Sequence, residues 1–117
     1  MSALLVPAGL LSIAVALMHG YLGETRLIAP ARFPSRQARD LVRAMWQLTT
    51  VLWIACGILI LASPWLGDPG VRRWAVMAAS LPLLWGALAN LWITRGRHPG
   101  GILMGAAVVV ANVGASL

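Results

Sequence analysis

Titratable chemistry is scarce in this chain. Its 117 residues include three acidic side chains, two histidines, one cysteine and one tyrosine. All nine basic residues are arginine, and there is no lysine. A membrane hydrolase or oxidoreductase needs a cluster of acids, bases and nucleophiles, and one histidine with one glutamate, His19 and Glu24, does not supply it. An enzyme is therefore not expected. The lone Cys56 excludes an intrachain disulfide and reads as a small packed residue. His98, the other histidine, falls in a connection, and no cysteine or carboxylate joins His19 at ligand spacing. Neither a metal nor haem is expected at His19.

The net charge of +6 would suit nucleic acid in a soluble protein. Here the arginines lie between apolar stretches, with no basic helix or stacking platform beside them, so no nucleic-acid partner is expected. They read as topology determinants and contacts to lipid headgroups.

What the chain has in abundance is apolar length. Hydrophobic residues make up 60% and charged residues 10%, against about 25% charged in an ordinary soluble domain. Four runs, at about residues 3–22, 43–62, 73–93 and 101–117, each approach the roughly 20 apolar residues that cross a hydrocarbon core. The expected fold is a single all-α domain: four transmembrane helices in an antiparallel up-down bundle. The first run has no basic flank and exceeds the apolar core of a signal peptide, so it reads as a retained span.

Arginine counts set the expected orientation. Arg26, Arg32, Arg36, Arg39 and Arg43 follow the first span, and Arg95 and Arg97 follow the third. Only Arg72 and Arg73 lie on the other side. By the positive-inside rule the first and third connections face the cytoplasm of a bacterial inner membrane, and both termini face the periplasm. Pro30 and Pro34 interrupt the first connection, with residues 36–43 able to begin the second helix below the membrane. Ser63-Pro64, Asp68-Pro69-Gly70 and His98-Pro99-Gly100-Gly101 mark the other two turns. Trp65 and Trp74 at one interface, and Trp46 and Trp92 at the other, read as interfacial anchors. Trp53 and Trp85 fall deeper, and Trp85 and Trp92 point away from the small face of their helix, toward lipid or another subunit.

Small residues recur at helical spacing. Ser12, Ala16, His19 and Gly23 share a face of the first span; Ala75, Ala79, Gly86 and Asn90 share one on the third. Gly101, Gly105, Val108, Asn112 and Ala115 do so on the fourth. Such faces let helices approach closely where lipid supplies no hydrophobic drive, so they are expected inside the bundle.

The polar residues His19, Glu24, Gln47, Thr50 and Asn90 fall at similar depth and are expected to form an inner-leaflet layer. His19 is expected to face Gln47 or Asn90, with Glu24 beside an arginine of the first connection. Intramembrane ionisable groups point to function by default. The structural alternative is hydrogen bonding between helices, at about 0.6–2 kcal/mol each. Asn112, alone in the other half, reads as an interhelical hydrogen bond.

The segments His19-Gly20-Tyr21-Leu22-Gly23-Glu24 and Trp46-Gln47-Leu48-Thr49 resemble a family of small uncharacterised bacterial four-helix integral membrane proteins. Its pattern is a histidine followed by Gly-Glu closing helix one and Trp-His-x-Thr opening helix two. The resemblance implies a fold and a compartment, with Gln47 standing where the family has a second histidine, so a paired-histidine site is not implied here. Two functions are compatible with all of this. One is an accessory or assembly subunit that packs against a larger membrane complex or against itself. The other is a small homo-oligomeric transporter or channel using His19 and Glu24. Small multidrug transporters, one such class, carry an acidic residue in mid-helix one, where this chain has Ser12 and Ala14.

Overall fold

A computed structural model describes residues 2–117. A short 3₁₀ turn leads into α1 (Leu5–Leu22), which continues as a π-helical segment, Gly23–Ile28. Then come α2 (Arg36–Ala62), extended by a 3₁₀ turn at Ser63–Trp65, α3 (Pro69–Thr94) and α4 (Pro99–Ser116). All four helices are long and apolar enough to cross a membrane. The chain is a multi-pass membrane protein with an all-α, four-helix bundle fold. Large apolar side chains lie exposed along every helix, among them Leu17, Val51, Leu81 and Val109. In lipid this surface is solvated; in water it would be a continuous sticky patch.

Local chemistry explains the element ends. Ser35 Oγ accepts the Ala38 N–H at 3.1 Å and starts α2. Asp68 Oδ1 accepts the Val71 N–H at 2.8 Å, with Pro69 at the first helical position of α3. His98 Nδ1 accepts the Gly100 N–H at 3.0 Å and opens α4 in the same way. These side chains satisfy donors that have no partner within the helix. At the end of α3, Arg95 adopts a left-handed conformation at φ 53° and Gly96 follows at φ 74°. The Gly96 N–H then returns to Leu91 O at 2.9 Å, closing the last turn. Arg72 ties the α2–α3 turn by donating to Ser63 O at 3.3 Å and Leu66 O at 3.0 Å.

The helices are arranged in a ring in chain order, with α1–α2 and α3–α4 the most extensive interfaces, α1–α4 intermediate and α2–α3 the smallest. Consecutive helices run antiparallel because each connection is short. The first and third connections, with seven of the arginines, share one end, here termed the arginine-rich end. The core along the ring axis is built from Leu5, Ile60, Val76, Leu83, Met104 and small residues including Ala16, Ala79, Ala107 and Ala111. Ser12 is fully buried and donates to Ala8 O of its own helix at 2.8 Å. Asn112 Nδ2 bridges to Ser80 Oγ at 2.9 Å, joining α4 to α3.

Two expectations about packing require correction. Gly105 is half-buried, and a Cβ built on it meets no atom within 4 Å, so it is not a close-approach position. The tight contacts lie elsewhere. A Cβ at Gly9 would stand 2.7 Å from the Leu61 backbone nitrogen, and one at Gly57 would stand 2.7 Å from Ile13 Cγ1. The first helix also does not stop near residue 22 but continues to Ile28.

Candidate functional site

The chemistry gathers at the arginine-rich end of the α1–α2 interface. Trp46, one turn beyond Arg43 on α2, lies across α1: its indole N–H donates to His19 O at 2.9 Å. That carbonyl also accepts the Gly23 N–H at the end of α1, so the indole takes its second lone pair. Beyond it α1 widens into the π-helical turn, in which the Ala29 N–H reaches back five residues to Glu24 O at 3.0 Å. Gly23 lets the indole lie flat on the α1 backbone, and a Cβ at that position would overlap the Trp46 ring. Gly20 makes similar room for Thr50 and Gln47, whose nearest atoms would stand 2.9 and 3.0 Å from an added Cβ.

Beside the indole runs a chain of polar contacts. Gln47 Nε2 donates to Gly20 O at 3.1 Å and to Glu24 Oε1 at 3.2 Å. Arg43 Nε donates to both Glu24 oxygens, each at 3.1 Å. Glu24 is thus held by an amide and a guanidinium, both from α2. Thr50 is buried and donates to Trp46 O of its own helix at 3.4 Å. The segments His19–Glu24 and Trp46–Thr49 are therefore two halves of one helix-crossing lock.

His19 does not share that network, which corrects the expected pairing with Gln47 or Asn90. Its ring stacks on Trp46 with centroids 4.2 Å apart and planes within 8°, and meets Trp53 at 4.4 Å with a 45° tilt. Its Nε2 is buried without a hydrogen-bond partner. Asn90 turns to the fourth helix, where its Oδ1 accepts the Gly101 N–H at 3.0 Å. The expected polar layer is thus divided among an α1–α2 lock, a stacked imidazole and an α3–α4 clip.

Between those parts lies a cavity of about 670 Å³. All four helices contribute to its wall, including His19, Trp46, Trp53, Trp85, Asn90 and Met104. Trp53 holds the smallest interface of the ring: it is buried, and its ring lies so close to Gly86 of α3 that a Cβ there would overlap it. From this contact the cavity runs toward the arginine-rich end, with Trp46 and Thr49 of α2 and Ala89, Asn90 and Ile93 of α3 in its wall. Among the described residues no three His, Cys, Asp or Glu side chains gather at metal-binding spacing.

The tryptophans divide by role. Trp65, Trp74 and Trp92 are exposed, as interfacial residues are. Trp46 is not an anchor of this kind, because its N–H and ring are spent on α1. Trp53 is core, and Trp85 is exposed on mid-α3. Of the arginines, Arg43 pairs with Glu24 and lies 3.9 Å from Asp40, whereas Arg26, Arg32, Arg36, Arg95 and Arg97 are exposed and Arg39 is half-buried. Sequence reasoning missed Gly9, Gly20 and the cavity. The glycines could have been found from the pairing of small residues on α1 and α2, had the rotation of α2 been known.

Comparison with protein-family models, with curated proteins and with solved structures finds no match. The functional reading therefore rests on the residues themselves.

Proposed function

We propose that this chain is a small accessory subunit of a bacterial inner membrane, packing through α3 against another helix-bearing membrane subunit. The observation that carries this reading is one stripe on α3. Trp74, Met77, Leu81, Trp85, Leu88 and Trp92 recur every three or four residues, and all are exposed. Trp74 and Trp92 are what an interface with headgroups favours. Trp85 is not: it sits about 11 residues from one and seven from the other, in the hydrocarbon zone, where lipid offers its indole N–H no acceptor. A facing helix offers both a surface for the ring and an acceptor for the N–H. The connections between the helices are short, which suits a role exercised within the bilayer.

In this reading the arginine-rich end is cytoplasmic and both termini are periplasmic. A reporter fused after Leu117 shows periplasmic behaviour, and one inserted near Ser35 shows cytoplasmic behaviour; the reverse pattern refutes the orientation. The kinship to small four-helix bacterial membrane proteins belongs to the same proposal. A transporter or channel built on His19 and Glu24 finds less support, because Glu24 is engaged by Arg43 and Gln47 while His19 sits in a tryptophan stack.

Photo-crosslinking tests the packing face. With the crosslinking residue placed in turn along the α3 stripe and along the exposed face of α4 at Val109 and Val113, a single defined adduct is expected at positions 81, 85 and 88 only. Equal labelling of both faces, or lipid adducts throughout, refutes it.

A further inference from the structure

The cavity beside His19 contains an unexplained atom. Buried polar atoms in proteins are nearly always hydrogen-bonded, and each exception calls for a physical account. His19 Nε2 is such an exception, in a ring pinned between Trp46 and Trp53 on the cavity wall. The pinning removes the usual escape, since stacking on the Trp46 face restricts rotation of the imidazole toward another acceptor or donor.

The surroundings define what can meet it. The volume of about 670 Å³ falls within the roughly 300–1,000 Å³ of small-molecule sites, and so does the pattern of an apolar, aromatic wall with few polar groups. Asn90 supplies a second polar group of fixed sense. Its oxygen is held by the Gly101 N–H, so it turns amide N–H donors toward whatever else it meets. No carboxylate lines the cavity, so a cation would lack a counter-charge there, and the one charged side chain in the wall, Arg26, is itself exposed. Trp85 and Ile93 line the cavity and are also 77% and 81% exposed, so it opens sideways onto the apolar surface at the thin α2–α3 edge of the ring.

We propose that this cavity binds a neutral, lipid-soluble molecule with a flat ring head bearing hydroxyl or carbonyl oxygen and an apolar tail, the chemistry of quinones and quinols. The head enters among Trp46, Trp53 and Trp85 with an oxygen on His19 Nε2, and the tail leaves between α2 and α3 into the bilayer. The site is one for binding; Trp85 belongs both to its rim and to the α3 stripe assigned to the partner subunit, whereas His19, Trp46, Trp53 and Asn90 belong to the cavity alone.

The test uses the purified full chain in detergent and a decyl-substituted benzoquinone as probe, read by quenching of tryptophan fluorescence. Saturable quenching at one quinone per chain is expected. Ala89→Phe and Thr49→Phe, which fill opposite sides of the opening, abolish the saturable phase. His19→Leu weakens binding about tenfold, the loss of one neutral hydrogen bond, whereas His19→Gln keeps it within a few-fold. Decylbenzene, with the same tail and no oxygen, competes at least tenfold less well. Quenching that rises in proportion to micellar quinone without saturating overturns the proposal. So does decylbenzene competing as well as a quinone, or unchanged binding in both opening-filling variants. If His19→Leu fails to fold by circular dichroism, Ala89→Phe and Thr49→Phe decide. The crosslinking result on α3 is unaffected by any of these outcomes.

Discussion

The α1–α2 and α2–α3 interfaces share one helix and have opposite constructions. Along α1, α2 is held from end to end. Gly9 and Gly57 bring the backbones together at one end, while Trp46, Gln47 and Arg43 reach across to His19, Gly23 and Glu24 at the other. Along α3, α2 has one principal tooth, Trp53 against Gly86, and below it the cavity. Glycines and backbone-directed donors give a contact without play. A large ring seated on a single glycine acts as a spacer, and the helices beyond it stay apart. The protein thus has a rigid half, α1 with the near face of α2, and an open seam beside it.

Breaking the rigid half should have the largest effect. Gly9→Leu sets a side chain against the backbone of Leu61, which cannot move without α2. Its cost is expected at the upper end of the ~1–3 kcal/mol typical of overpacking, or beyond it. Detergent melting followed by circular dichroism should show a marked loss of folded protein. Gly105→Leu, at the position with no neighbour in reach, should stay within about 0.5 kcal/mol of the parent. Equal melting of the two variants would erase the distinction between close-packed and open glycines.

The seam should answer differently. Gly86→Ala displaces the Trp53 ring but leaves the lock on α1 in place, so a cost of about 1–2 kcal/mol is expected together with a changed Trp53 environment. Near-ultraviolet circular dichroism separates the two: an unchanged tryptophan signal would mean that the spacer is not where it has been placed.

Smaller effects sharpen the account of the lock. Trp46→Phe keeps a ring on Gly23 and His19 but deletes the donor to His19 O, for an expected loss of about 1 kcal/mol. Glu24→Gln removes the ion pair with Arg43. Both side chains are more than a third exposed, at 37% and 40%, so solvent and salt screen the pair and the loss should be below about 1 kcal/mol. A larger loss for Glu24→Gln than for Trp46→Phe would reverse the ranking of indole and carboxylate.

How much of this was legible depends on the range of the interaction. The Asp68-Pro69-Gly70 and His98-Pro99-Gly100-Gly101 turns were legible because their geometry is set by residues next to one another, whereas the capping by Ser35, Asp68 and His98 side chains came from the structure. The buried faces carrying Ser12, Ala16, Gly86, Gly101 and Asn112 were readable from a period of 3.6. Glu24 beside Arg43 was within reach because both had to fall at one end of adjacent spans. The rest was not. Trp46 looked interfacial by depth, and only its rotation toward α1 turned it into a bond to a carbonyl 27 residues away. Gly105 looked like its neighbours on the same stripe until the line of the α4 contacts left it facing open space.

The division has a simple physical cause. Crossing a bilayer is a demand on each segment by itself: every backbone group must be paired within the helix and nearly every side chain must tolerate hydrocarbon, so hydropathy and arginine placement determine four spans from the sequence alone. The relative rotation of those spans is decided by packing, where differences of a few kcal/mol between helix faces depend on residues far apart in the chain. Only that rotation places His19 between two tryptophans, sends Gln47 and Arg43 to Glu24 and Asn90 to Gly101, and leaves a cavity where α2 and α3 fail to close.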